Sequence, residues 1–247
     1  MRVGFVGNSH LAAYKDALDD INADFPDRRL QFFGLRNPVF FQSPDLNGTA
    51  LRLDEPLDDT GHQLINPEGA YPLPLGTFDA VLLTSHPFFF HPFAEEFAKM
   101  DRPGGLTTAR NNTMVVTRAL RNMIRRRARQ YAVRLRQFFP VHDNMMVVQA
   151  PFPSIDVTAL GGAFAYLAGH PAQDALFEDY QSILATVCVR RGLQLKQADP
   201  AVLTEPFFTK AKYARSFGEA QDTDIPMSDY IHMNASYARH SFARLMG

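Results

Sequence analysis

One cysteine, Cys188, stands in 247 residues, which excludes an intramolecular disulfide and any structural zinc site built on thiolates. A reducing compartment is favoured. No apolar run approaches the ~18 residues of a membrane span. The opening Met1-Arg2-Val3-Gly4-Phe5-Val6-Gly7 is too short for the apolar region of a signal peptide, so a cytoplasmic location is expected. Charge of one sign is missing as well: 25 Lys and Arg face 26 Asp and Glu, for a net of -1. That removes the global basic surplus of a chain that lives on nucleic acid, while leaving room for a local basic patch. With 46% hydrophobic and 21% charged residues, neither disorder nor a coiled coil fits the whole. Internal repeats and low-complexity tracts are absent too. Tryptophan is missing, and 8 histidines against 1 cysteine give the first lead to chemistry.

What is present alternates. Val3 to Val6 reads as a buried strand running into Gly7-Asn8-Ser9, after which Leu11, Ala12, Tyr14, Ala17, Leu18 and Ile21 recur at helical spacing. Leu30 to Phe33 ends in Gly34, and Phe78 to Leu83 ends in Thr84-Ser85-His86-Pro87, as two further strands running into loops. Between them, residues 35–77 carry six prolines, with Asn47-Gly48 and Thr60-Gly61 as turn signals and a small hairpin expected between Ala50–Leu53 and His62–Ile65. Residues 106–138 lack proline and glycine and predict the longest helix. Met145 to Val148 predicts a fourth strand, Asp174 to Arg190 a helix stopped by Gly192, and Leu193 to Leu195 a fifth strand. Asn234 can cap a last helix carrying Tyr237, Phe242 and Leu245.

Strands alternating with helices imply a parallel sheet covered on both faces, because each parallel return needs a crossover. The expectation is one α/β domain over residues 1–247. It would be a three-layer α/β/α sandwich with a flavodoxin-like five-stranded parallel sheet, and with insertions near 35–77 and 199–227. In such sheets ligands sit outside the carboxyl ends of the strands. The residues just after each strand are therefore the site candidates.

Ser9 follows the first strand at a sharp turn into a helix, where amides point outward toward developing negative charge. The same pattern is that of an ordinary helix cap. Near the other end, Ser228-Asp229-Tyr230-Ile231-His232 sets a carboxylate three residues before a histidine, close enough to orient the ring and stabilise its protonated form.

A serine after the first strand together with Asp-x-x-His before the last helix resembles the SGNH, or GDSL-like, hydrolase and acyltransferase superfamily. Its first motif would be Gly7-Asn8-Ser9 and its last Asp229 and His232. The resemblance implies Ser9 as nucleophile, His232 as general base and Asp229 as its orienting acid, in a serine esterase acting on carbohydrate or small-molecule O-acyl esters. An O-acyltransferase on a glycan or small alcohol would use the same residues. The family's oxyanion hole would take Gly34 as its glycine. Its usual asparagine is replaced, since Thr84, Ser85, His86 and Pro87 stand where Gly-x-Asn-Asp belongs. His86 can donate a hydrogen bond in its place, with Asn37 as another donor and Ser85 beside it. No cofactor is implied. The expected partner is the ester substrate, with neither membrane nor nucleic acid involved.

Two other features stand out. The predicted helix of 106–138 carries Arg110, Arg118, Arg121, Arg125, Arg126, Arg127, Arg129, Arg134 and Arg136, either as a solvated face with salt bridges or as a contact for an anionic partner. In the second case the chain would be a catalytically impaired module of the same fold. Phe88-Phe89-Phe90, between Pro87 and Pro92, can wall the site or fill the core. His86 and His91 lack a neighbouring carboxylate motif, so no metal site is expected, although Asp229 and His232 could join them.

Overall fold

The computed structural model describes residues 1–7, 10–34, 45–46, 50–52, 73–84, 90–101, 112–138, 144–215 and 232–246. In chain order the strands are β1 (Arg2–Gly7), β2 (Arg29–Gly34), the short β3 (Asp45–Leu46), β4 (Ala50–Arg52) and β5 (Leu73–Pro74), then β6 (Ala80–Thr84), β7 (Met145–Val148), β8 (Gln194–Lys196), β9 (Leu203–Glu205) and β10 (Phe208–Thr209). Five of them form one parallel sheet in the order β2-β1-β6-β7-β8. This is the flavodoxin-like order: the chain winds outward from β1 to β2, then returns to the other side of β1. The reversal opens a crevice between the carboxyl ends of β1 and β6.

Helices cover both faces: α1 (Leu11–Asp16), α2 (Leu18–Asp24), α3 (His91–Asp101), α4 (Asn112–Phe138), α5 (Gly162–Leu167), α6 (Gln173–Arg190) and α7 (Ala235–Met246). Successive strand side chains point to opposite faces, which divides the core in two. Val6, Phe33, Val81, Leu83, Met145 and Val147 pack under α3, α4 and α6. Val3, Phe5, Phe32, Ala80, Leu82 and Val148 pack under α1, α2 and α7. Phe5 stacks on Phe32 at 5.1 Å and on Phe242 of α7 at 5.9 Å. Burying an aromatic of this size contributes about 1.5–3 kcal/mol, so these contacts alone hold α7 firmly on the sheet. Arg239 adds a bidentate clamp to Asp24 of α2, at 2.6 and 2.8 Å.

Several expectations are corrected. The helix expected across Leu11 to Ile21 is interrupted at Ala17, although the Ala17 and Ile21 amides still donate to Ala13 and Ala17. β4 pairs with β3 and β5, with Asp45 opposite Arg52 and Leu51 opposite Leu73; Asn47-Gly48 and His62–Ile65 lie outside the described residues. Residues 203–209, expected within a polar insertion, form an antiparallel hairpin that feeds the core. Its Phe207 is fully buried in a left-handed conformation (φ 70°) and stacks on Phe90 at 4.2 Å with 10° between the rings. Phe90 thereby fills core and does not wall a site; Phe88 and Phe89 lie outside the described residues.

Candidate active site at the carboxyl end of the sheet

Gly7 and Gly34 end β1 and β2 in register with each other. A β-carbon on Gly7 would fall 2.2 Å from the Thr84 hydroxyl and 2.8 Å from the Thr84 carbonyl oxygen. Real β-carbons do not tolerate such distances, so the close approach of β1 and β6 at the switch point requires glycine there. The chain then enters α1 at His10, which has helical dihedrals and makes no capping hydrogen bond with its side chain. Its buried ring instead meets that of His232, with centroids 4.8 Å apart and planes inclined by 46°.

Backbone pairing explains why His232 arrives there. Ala214 and Met233 form an antiparallel bridge, the Arg215 amide donates to the His232 carbonyl at 3.0 Å, and the Asn234 amide donates to the Tyr213 carbonyl at 2.9 Å. Asn234 does double service. Its Nδ2 donates to the Lys212 and Ala214 carbonyls, and its Oδ1 accepts from the Tyr237 amide as the expected cap of α7. Buried Met233 anchors the crossing against Val202, Tyr213 and Tyr237. The His232 side chain is left half-buried.

Beside His10 is a cavity of about 10 Å³, lined by residues that include Thr84, Gln149, Met233 and Tyr237. Thr84 Oγ1 and Gln149 Nε2 are buried there with no hydrogen-bond partner among the described residues. Gln149 is held by its other end, since its Oε1 accepts from the Ala198 amide at 3.1 Å. An unmade hydrogen bond on a buried group costs ~1–3 kcal/mol. The space suits one water or one oxygen of a ligand.

A larger cavity of about 140 Å³ lies beyond Gln149 and Tyr237, beside β8 and α7. It contains an Asp–His pair, with Asp199 Oδ2 3.0 Å from His240 Nε2 and Arg244 3.3 Å from the other carboxylate oxygen. Burial raises the Asp199 carboxyl, but the Ala201 amide, His240 and Arg244 together outweigh it and hold the group below its ordinary value. The neighbouring Ser241 hydroxyl does not complete a triad. It is paired with the Tyr14 hydroxyl at 2.9 Å, on the side of α7 that meets α1.

Of the residues expected to act, the structure brings His232 and Gly34 to the same end of the sheet. Ser9, Asn37, Ser85, His86 and Asp229 lie outside the described residues. His10, the neighbour of Ser9 in the chain, lines the small cavity. Thr84 and Gln149 were not anticipated, although Thr84 ends β6 and Gln149 directly follows β7, where the rule of inspecting strand carboxyl ends points. Among the described residues no group of three or more His, Cys, Asp or Glu is placed to hold a metal, and no helix is long and apolar enough to cross a membrane.

No family model and no curated protein sequence matches the chain. Among solved structures, an extracellular lipase from Streptomyces rimosus is similar over 100% of this chain and 98% of its own, at 11% identity and a TM-score of 0.45. A protein from Lactobacillus plantarum is similar over 99% of this chain and 95% of its own, at 15% identity and a TM-score of 0.36. Neither likeness bears on individual site residues.

Proposed function

We propose that the protein is a serine-dependent hydrolase of carbohydrate or small-molecule O-acyl esters. The observation that carries this reading is the ring contact between His10 and His232 at 4.8 Å. It draws the histidine of the Asp-x-x-His motif to the segment after β1, where Ser9 is the covalent neighbour of His10, with Cα atoms about 3.8 Å apart along the chain.

In this mechanism His232 takes the proton of Ser9 as the Ser9 oxygen attacks the ester carbonyl. Asp229 orients the ring and stabilises its protonated form. The amides of Ser9 and Gly34 donate to the oxyanion, with His86 or Asn37 as the third donor and Ser85 beside them. The carbonyl re-forms as the alcohol leaves with the proton from His232. Water then attacks the acyl-enzyme, giving its proton to His232, and Ser9 recovers that proton as the acid departs. Thr84 and Gln149 supply hydrogen-bonding capacity below the reacting groups, where a water or a substrate oxygen would be held.

An active-site-directed fluorophosphonate tests the reading. The wild-type protein is expected to be labelled at Ser9, Ser9→Ala to escape labelling, and His232→Gln to react about a hundredfold more slowly or worse. A folded wild-type protein that resists the reagent would overturn the proposal. Product analysis with an added alcohol then separates transfer to water from transfer to another hydroxyl.

A further inference from the structure

On the helical layer that covers the other core, α4 and α6 lie side by side and leave a groove of about 280 Å³. Arg121, Arg125 and Arg129 of α4 line one wall, and Ser182, Thr186 and Arg190 of α6 line the other. Each set is spaced by four residues, so each presents one side chain per turn along a track of about 12 Å.

The charges in this groove are poorly compensated. Four guanidinium groups face a single lining carboxylate, Asp179, which accepts from Arg121 Nε. Among the described residues, Arg125 donates to the neutral Asn122 side chain at 3.1 Å. Among the described residues, Arg125, Arg129 and Arg190 have no acidic partner, and α4 contains no Asp or Glu from Asn112 to Phe138. Like charges one turn apart cost a helix a few tenths of a kcal/mol per pair, so a filled groove would be more stable than an empty one. Among the described residues of this helix, Arg118, Arg121, Arg126, Arg127 and Arg129 are exposed, so the face is solvated, and Arg121 is the arginine that meets a carboxylate.

We propose that this groove is a binding site for a small ligand bearing two or more phosphoryl groups, separate from the ester chemistry. Planar guanidinium forks from two helices match the several oxygens of a phosphoryl group, and the Ser182 and Thr186 hydroxyls add donors between them. The four positive side chains are gathered within one short groove, whereas a nucleic-acid backbone asks for a longer continuous track of phosphate contacts. None of the lining residues belongs to the Ser9–His232 site, so the two proposals stand or fall separately.

Titration calorimetry of the full chain with inorganic tripolyphosphate at low ionic strength provides the test. One-to-one binding is expected, weakening as salt is raised. The triple variant Arg125→Gln, Arg129→Gln, Arg190→Gln is expected to bind at least about tenfold more weakly, a loss of ~1.4 kcal/mol. A control triple variant, Arg118→Gln, Arg126→Gln, Arg127→Gln, removes the same charge from α4 outside the groove and is expected to change affinity far less. No binding to the wild-type protein, equal losses in both variants, or tighter binding of a single-stranded oligonucleotide than of tripolyphosphate would each overturn the proposal. Circular dichroism of both variants checks that the fold is intact.

Discussion

The β-carbon position of Gly7 lies 2.2 Å from the hydroxyl of Thr84, so the first and third strands of the parallel sheet meet at the switch point without room for a side chain. Gly7→Ala is expected to lower stability by at least ~1–3 kcal/mol, the usual cost of overpacking, read as a reduced urea midpoint. Adding Thr84→Ala should rescue only part of that loss, because the Thr84 carbonyl oxygen remains 2.8 Å from the new methyl. Full rescue would show that the hydroxyl alone sets the limit.

Phe207 combines two opposed demands. Its ring is wholly buried among Phe90, Phe152, Phe177 and Tyr180, while its backbone takes the left-handed conformation at φ 70° directly after Pro206. Pro followed by a residue at positive φ is the pattern of a type II turn, where glycine is usual. Phe207→Ala is expected to cost about 3–5 kcal/mol through the lost ring. Phe207→Gly should be no less stable than Phe207→Ala, reversing the ordinary order of these residues, because glycine escapes the left-handed penalty of about 1 kcal/mol. Chemical denaturation of the two variants side by side decides the matter.

Alkaline pH should unfold the protein through its buried tyrosines. Burial pushes the Tyr14 hydroxyl up to about 12, against a smaller downward pull from Ser241, and burial likewise raises Tyr180 and Tyr237. An unfolded tyrosine titrates near ~10. Their stabilising contribution is therefore intact below that value and is lost as pH climbs toward the folded values, since the unfolded chain releases protons first. The expected observation is a cooperative rise in tyrosinate absorbance that coincides with loss of the circular dichroism signal. Gradual ionisation of all 8 tyrosines in a still-folded protein would contradict it. Cys188, fully buried with its thiol pushed up to about 12, should stay unreactive toward thiol reagents until the same transition.

Much of the architecture was legible because the three inner strands of the sheet are buried on both faces and read as short apolar runs. Val3–Val6, Phe78–Leu83 and Met145–Val148 mark three of the five sheet positions to within about two residues at either end, and Asn234 and Gly192 mark helix ends through cap chemistry that depends on local sequence alone. The hairpin at residues 203–209 was hidden, because its value lies in a ring stack with Phe90, more than a hundred residues earlier, and a left-handed phenylalanine has no local signature. The candidate site was legible only in part. His232 and Gly34 could be named from motif and strand end, whereas the meeting of His10 with His232 depends on the pairing of residues 213–215 with 232–234, which no periodicity announces. Thr84 and Gln149 are ordinary polar residues until the cavity between them is seen.

The stacking of Phe242 on Phe5 has a consequence for how the protein is made. One face of β1 is sealed by α7, a helix that follows it in the chain by more than two hundred residues. Contacts that distant in sequence close slowly. Until α7 docks, the folding sheet carries an unsealed aromatic face, which makes it a natural client for chaperones that shield apolar surface.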